Sequence, residues 1–181
     1  MKKLLTFAIL AGCITFTSQL YAQGSPKDTP EQKLHRASLG SQVSQTIAGG
    51  ANVTITYSSP SLKGRTMGKD IEPMNGKVWR AGANEATIFE VSKDVTVDGQ
   101  KLPAGKYGLY AIAENNEWTI IINKTWDTWG AFSYKPADDV IRVKAKASKS
   151  CLFFERLVYT IDREGKVSLV WGGTQVDFHV R

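Results

Sequence analysis

The amino-acid sequence predicts an all-β protein: an antiparallel β-sandwich, jelly-roll-like or barrel-like, with about nine strands and little helix. Three observations carry that expectation. Apolar and polar residues alternate with period two in run after run from Ala51 onward. Tight-turn residues separate the runs at short intervals. A 3.6-residue apolar periodicity is almost absent.

The chain opens differently. Lys2 and Lys3 precede an apolar run from Leu4 to Phe16, and Leu20-Tyr21-Ala22 ends in a small residue before Gln23. Residues 1–22 therefore read as a signal peptide, with an apolar run too short to span a bilayer permanently. A second reading stays open. Leu10-Ala11-Gly12-Cys13 has the small-residue pattern of a lipoprotein box, which would leave a lipid anchor at Cys13. Ile14-Thr15-Phe16 stands against it, because a lipoprotein usually turns polar there. Either product is outside the cytoplasm: periplasmic or secreted, or lipid-anchored in the envelope. Residues 23–38, with Pro26 and Pro30, read as a flexible polar leader with a short helix around Glu31 to Arg36, and residues 39–181 as one domain.

Val53, Ile55 and Tyr57 face one way and Thr54 and Thr56 the other, which makes a half-buried strand. Comparable runs are Ala86 to Val91, Val95 to Val97, Tyr107 to Ala113, Trp118 to Ile122, Val140 to Ala145, Phe153 to Ile161, Val167 to Trp171 and Val176 to Val180. Asp98-Gly99 is a hairpin signal, Glu114-Asn115-Asn116 and Arg163-Glu164-Gly165 are short loops, and Gly172-Gly173 reads as a further hairpin. Tyr107 to Ala113 and Trp118 to Ile122 are apolar on both faces and belong in the centre, covered on both sides. Arg142, Lys144 and Lys146 form a solvated basic row opposite Ile141, Val143 and Ala145. Trp79, Trp118 and Trp171 fall within strand patterns and are expected in the core.

Composition narrows function by exclusion. A chain of 181 residues that is 42% hydrophobic and 22% charged is globular, not disordered. The net charge is +6, with two positive charges in the signal segment, so nothing marks a nucleic-acid binder. Once Cys13 is removed with the signal, Cys151 is alone; beside Leu152, Phe153 and Phe154 it is expected to be a buried, inert thiol. The two histidines, His35 and His179, are far apart, and no Cys-x-x-Cys, Gly-x-Ser-x-Gly or Gly-rich phosphate loop is present. No metal site and no cofactor is expected.

The stretch from Tyr57 to Thr87 is long for a connection in a small β domain, and such loops often carry a binding surface. Its YSSPSLKGR (Tyr57 to Arg65) and GKVWRAGANEAT (Gly76 to Thr87), with LPAGKYGLY (Leu102 to Tyr110) and EWTIIINKTWDTWGAFSY (Glu117 to Tyr134), resemble the domain of unknown function 2911 family in order and spacing. The resemblance covers about Ala37 to Val180. It implies an exported bacterial envelope protein with a β-rich domain; it implies no activity and supplies no catalytic residues.

The site must therefore be sought in chemistry. Arg80 and Glu85, with Asn84 between them, could grip a polar ligand or tune a general acid if Gly82 turns Glu85 back toward Arg80. They could instead be an ion pair that fixes the loop, the favoured reading of the two. Trp126, Trp129 and Tyr134 could offer flat apolar faces to a sugar ring, with Asp127 or Lys124 bonding its polar groups, or could plug one end of the sandwich. Two functions follow from these residues. One is a non-catalytic module for a small polar ligand or glycan. The other is a hydrolase or lyase using Glu85 with Arg80 and Arg65, in which Asp70, Glu72 and Glu85 could supply a carboxylate pair.

Overall fold

In a computed structural model of the protein the described residues are 28–181, so the expected signal segment and Cys13 lie outside them. The described chain begins with a single helical turn, α1 (Pro30–Leu34). Thr29 caps it: its hydroxyl accepts from the Gln32 amide at 3.2 Å while the Gln32 side chain accepts from the Thr29 amide at 2.8 Å. The turn buries none of its residues.

Ten strands follow among the described residues: β1 (Leu39–Thr46), β2 (Asn52–Ser59), β3 (Val78–Trp79), β4 (Ala83–Val91), β5 (Val95–Val97), β6 (Gln100–Leu102), β7 (Gly105–Glu114), β8 (Glu117–Asn123), β9 (Asp139–Ile161) and β10 (Lys166–His179). The main sheet runs β1-β2-β4-β7-β8-β9-β10, all antiparallel, with β3 paired to β7, while β5 and β6 form a small ribbon. Its strands twist, and the sheet curls until its two halves meet. The segment after β2 bonds the far half of β9, with the Leu62 amide donating to the Glu155 carbonyl and the Leu157 amide to the Pro60 carbonyl, both at 2.9 Å. Just past β10, Arg181 likewise exchanges backbone bonds with Thr96 of β5. The all-β, barrel-like expectation holds, as a curled half-barrel with a small second sheet.

Inside the curl, Trp79 stacks on Trp171 at 5.9 Å and meets Trp118 edge-on at 6.3 Å, and all three are buried. Tyr57 meets Tyr159 edge-on at 4.8 Å. On the outer side of β4, β7 and β8 a second small cluster forms from Ala86, Tyr110 and Ile121, roofed by Ala131 and Tyr134. The central pair β7–β8 is thus covered on both faces, as its unbroken apolar runs require.

The structure changes four expectations. β1 was hidden because its side chains are mostly polar and half exposed, with an exposed Leu39 at its start and Val43 the one large apolar residue beyond it. β9 is one long strand where two were expected. Gly172 does not close a hairpin: it bulges within a continuous β10, at φ 59°, where the register against β9 shifts. That shift upsets the inside–outside alternation of the facing β9 residues, so Cys151 is exposed, not buried, with Leu152 and Phe153 exposed beside it. Among the described residues no helix is long and apolar enough to cross a membrane.

Candidate functional site

The segment Trp79 to Thr87 is held from beneath by the core. The Trp79 indole donates to the Gly82 carbonyl at 2.9 Å, and the Ala81 carbonyl accepts from the Tyr159 hydroxyl at 2.7 Å and the Thr87 hydroxyl at 3.1 Å. Burial pushes the Tyr159 hydroxyl well above its ordinary pKa, so it stays a donor. Ala81 and Asn84 both take positive φ, 50° and 58°. A Cβ on Gly82 would come 2.7 Å from the Thr87 hydroxyl and 3.2 Å from the Ser58 carbonyl, so the turn requires glycine. The tight turn places Glu85 near the start of β4 with its carboxylate outward.

A second segment, between β8 and β9, is fastened alongside. Buried Asn123 organises its base: its amide group donates to the Lys135 carbonyl at 3.0 Å and to Asp139 at 2.7 Å, and its oxygen accepts from the Thr125 amide at 2.8 Å. Gly108 lets the Thr125 carbonyl approach β7, because a Cβ there would collide with it. The Ala86 amide then donates to the Thr128 carbonyl at 2.9 Å and the Gly130 amide to the Asn84 carbonyl at 3.0 Å. This short pairing sets Glu85 directly opposite Trp129.

Between these segments and β2 opens a pocket of about 680 Å³, with Tyr57 and Thr56 on one side, Trp126, Trp129 and Phe132 on the other, and Glu85 among its polar groups. Its volume is in the range of small-molecule sites. Trp129 is 39% exposed and Phe132 86% exposed, so these rings do not serve as a core plug. Lys106 lies over the Trp126 ring at 5.7 Å and reaches Glu90 at 3.4 Å.

The cation facing Glu85 is not Arg80. Arg36 of the leader donates from its two terminal nitrogens to the two Glu85 oxygens at 2.7 and 3.0 Å, and from Nε to Asp28 at 2.6 Å. Its guanidinium also lies 5.3 Å from the Trp129 ring centre, and Lys33 approaches Glu85 at 3.6 Å. Asn84 donates its side-chain amide to the Ser38 carbonyl at 2.9 Å. Burial pushes the Glu85 carboxyl up, but the Arg36 hydrogen bonds, a backbone bond and the Arg36 and Lys33 charges outweigh it and hold the group below the usual carboxylate range.

The other expected site residues fall elsewhere. Arg80 does not line the pocket; it is tucked beside the Gly130 turn, its buried Nε has no hydrogen-bond partner among the described residues, and burial lowers its pKa against the opposing charge of Glu72. Arg65 bonds the Leu62 and Ser61 carbonyls, both at 2.9 Å, and so braces its own turn. Asp70 and Glu72 accept from the Thr66 and Met74 amides at 2.9 and 2.8 Å, fixing local turns. The Tyr134 hydroxyl donates to Asp139 and accepts from Arg142, each at 2.8 Å, and its ring packs on Tyr110. Burial and the Asp139 bond push Tyr134 up to about 12. It is a brace for the loop and does not line the pocket.

Arg36 and Phe132 were missed in the sequence. Phe132 continues the three-residue spacing of Trp126 and Trp129, a signal that was available. Arg36 had none, since it is 49 residues from Glu85. Among the described residues no group of three or more His, Cys, Asp or Glu is placed to hold a metal.

The molecule is a curled antiparallel sheet whose loops enclose a surface pocket lined by aromatic residues and a carboxylate. The chain belongs to the family described as protein of unknown function DUF2911, whose model matches residues 38–180. Neither the curated proteins nor the solved structures contain a match.

Proposed function

We propose that this is an exported envelope protein acting as a non-catalytic binding module, and that the pocket between Glu85 and the Trp126–Phe132 loop takes a small polar ligand with a flat apolar face, a glycan being the class that fits. The observation that carries this reading is a pocket lined jointly by Trp126, Trp129, Phe132 and the Glu85 carboxylate, with the Trp129 and Phe132 rings exposed. A sugar ring stacks on such faces while its hydroxyls bond to charged groups at the rim. The hydrolase or lyase alternative draws less from the geometry, which leaves Glu85 only the role of base or nucleophile. A Glu85 carboxyl held ionised by Arg36 is a poor proton donor near neutral pH, and neither Arg80 nor Arg65 lines the pocket.

Titration of the protein with envelope-type oligosaccharides, followed by tryptophan fluorescence, tests the reading. A saturable change that disappears in Trp129→Ala is expected. No response to any sugar, or an equal response in Trp129→Ala, would contradict it. Export is tested by fractionating cells that make the full chain and sequencing the mature N-terminus. A start at Gln23 is expected, whereas a blocked, lipidated Cys13 would establish the anchored form.

A further inference from the structure

We infer that Glu85 and the exposed face of Trp129 form a guanidinium subsite, that the protein's own leader occupies it in cis through Arg36, and that an arginine-bearing peptide binds here by displacing the leader. The inference rests on reading the pocket as a binding site, and it names a ligand class for one part of it.

Arg36 is held as a ligand is held. Two parallel hydrogen bonds join its fork to both oxygens of Glu85, and an aromatic ring lies 5.3 Å from the guanidinium carbon. A planar cation that satisfies a carboxylate and an aromatic face together is the chemistry for which arginine differs from lysine. The groups receiving it are built into the scaffold. Glu85 is on β4, pinned by the Ala81 turn, and Trp129 is locked opposite it by the Ala86–Thr128 and Gly130–Asn84 bonds.

The segment supplying the guanidinium is fastened quite differently. Helix α1 buries none of its residues, and the leader's contacts with the site are Arg36, Lys33 and the Ser38 carbonyl. The family match begins at residue 38, so Glu85 and Trp129 lie inside it and Arg36 outside. The receptor groups therefore belong to the family domain, and their occupant belongs to a peripheral segment. The pocket beyond Arg36 remains open, which gives an incoming peptide room beside the guanidinium it must replace. A tethered occupant competes at high effective concentration, so it lowers the apparent affinity for any free ligand of the same kind.

The test uses the full mature chain, its Arg36→Ala variant and the double variant Arg36→Ala/Glu85→Gln, with circular dichroism to establish that each is folded. The probe is N-acetyl-arginine amide, with the N-acetyl-citrulline amide as its uncharged isostere. Binding to Arg36→Ala at least about tenfold tighter than to the parent is expected, with no binding of the citrulline compound and loss of arginine binding in the double variant. Equal affinity in parent and Arg36→Ala, equal binding of citrulline, or indifference to Glu85→Gln would each overturn the inference. A neutral oligosaccharide titrated into the same Arg36→Ala preparation separates this idea from the wider one. A sugar response without an arginine response overturns the guanidinium subsite and keeps the pocket; an arginine response without a sugar response does the reverse for the glycan reading. Silence in both sinks both.

Discussion

Glu85 was legible in the sequence as a residue to watch, but its partner was not. The expected partner, Arg80, is five positions away and points beneath the Gly130 turn, while the real one comes from a polar leader that reads as loose chain. Sequence proximity is a poor guide where a positive φ at Ala81 and Asn84 reverses the backbone between the two residues. The consequence is a specific pH dependence. The bound Glu85 carboxyl titrates below the free one, so the latch is fully present above the ordinary carboxyl pKa of about 4 and is lost as pH falls through the lower, bound value. The protection factors of the amides around Arg36, meaning exchange relative to the intrinsic rate at each pH, should fall on acidification through that window, without loss of protection in the main sheet. In Glu85→Gln the exchange should already be fast at neutral pH, and a slow leader there would contradict the latch. At Tyr134 the shift runs the other way. Spectrophotometric titration should find nearly the same tyrosinate signal near pH 11 in the parent and in Tyr134→Phe, since the Tyr134 pKa is pushed up to about 12. Its contribution to stability is present below the ordinary tyrosine pKa of about 10 and fades as pH rises above that.

At the scale of elements, the central strands were the most readable because burial on both faces leaves no polar alternation to confuse. β7 and β8 fall where Tyr107 to Ala113 and Trp118 to Ile122 placed them. β1 was not readable, since an edge strand with Ser41, Ser44 and Gln45 carries almost no apolar signal. Nor was the fastening of the Trp126–Trp129 loop, which depends on one absent side chain at Gly108. Gly108→Ala should push the Thr125 carbonyl off β7, destabilise the protein by about 1–3 kcal/mol and weaken ligand binding at Trp129. Thermal melts beside fluorescence titrations check both effects. Unchanged binding in a folded Gly108→Ala would show that the loop position does not set the site. Among the aromatic residues, Trp79 is the one whose removal should be felt most widely. Trp79→Ala deletes the stack on Trp171 and the indole bond to Gly82 at 2.9 Å, a loss of about 3–5 kcal/mol.

At the scale of the whole molecule, the fold divides into a curled scaffold and a latch. The curl is fastened by backbone bonds between Pro60–Leu62 and Glu155–Leu157, and Trp79, stacked on Trp171 and edge-on to Trp118, fills it. The latch lies outside that core, fixed by Arg36 across the pocket. Fold class was legible because alternation, turn signals and absent helical periodicity all agree. The latch was not, because it rests on a long-range ion pair between segments with no shared pattern.

The central claim is that Glu85 serves the surface site and not the scaffold, and the melting temperature of Glu85→Gln beside the parent tests it most directly. The Glu85 side chain is 38% exposed, so losing its ion pair should cost no more than about 1 kcal/mol. For a domain of this size that is a fall of roughly 2–4 °C or less. A fall well beyond ten degrees would mean that the pair holds the fold together, and the pocket would then have to be read as a structural clasp.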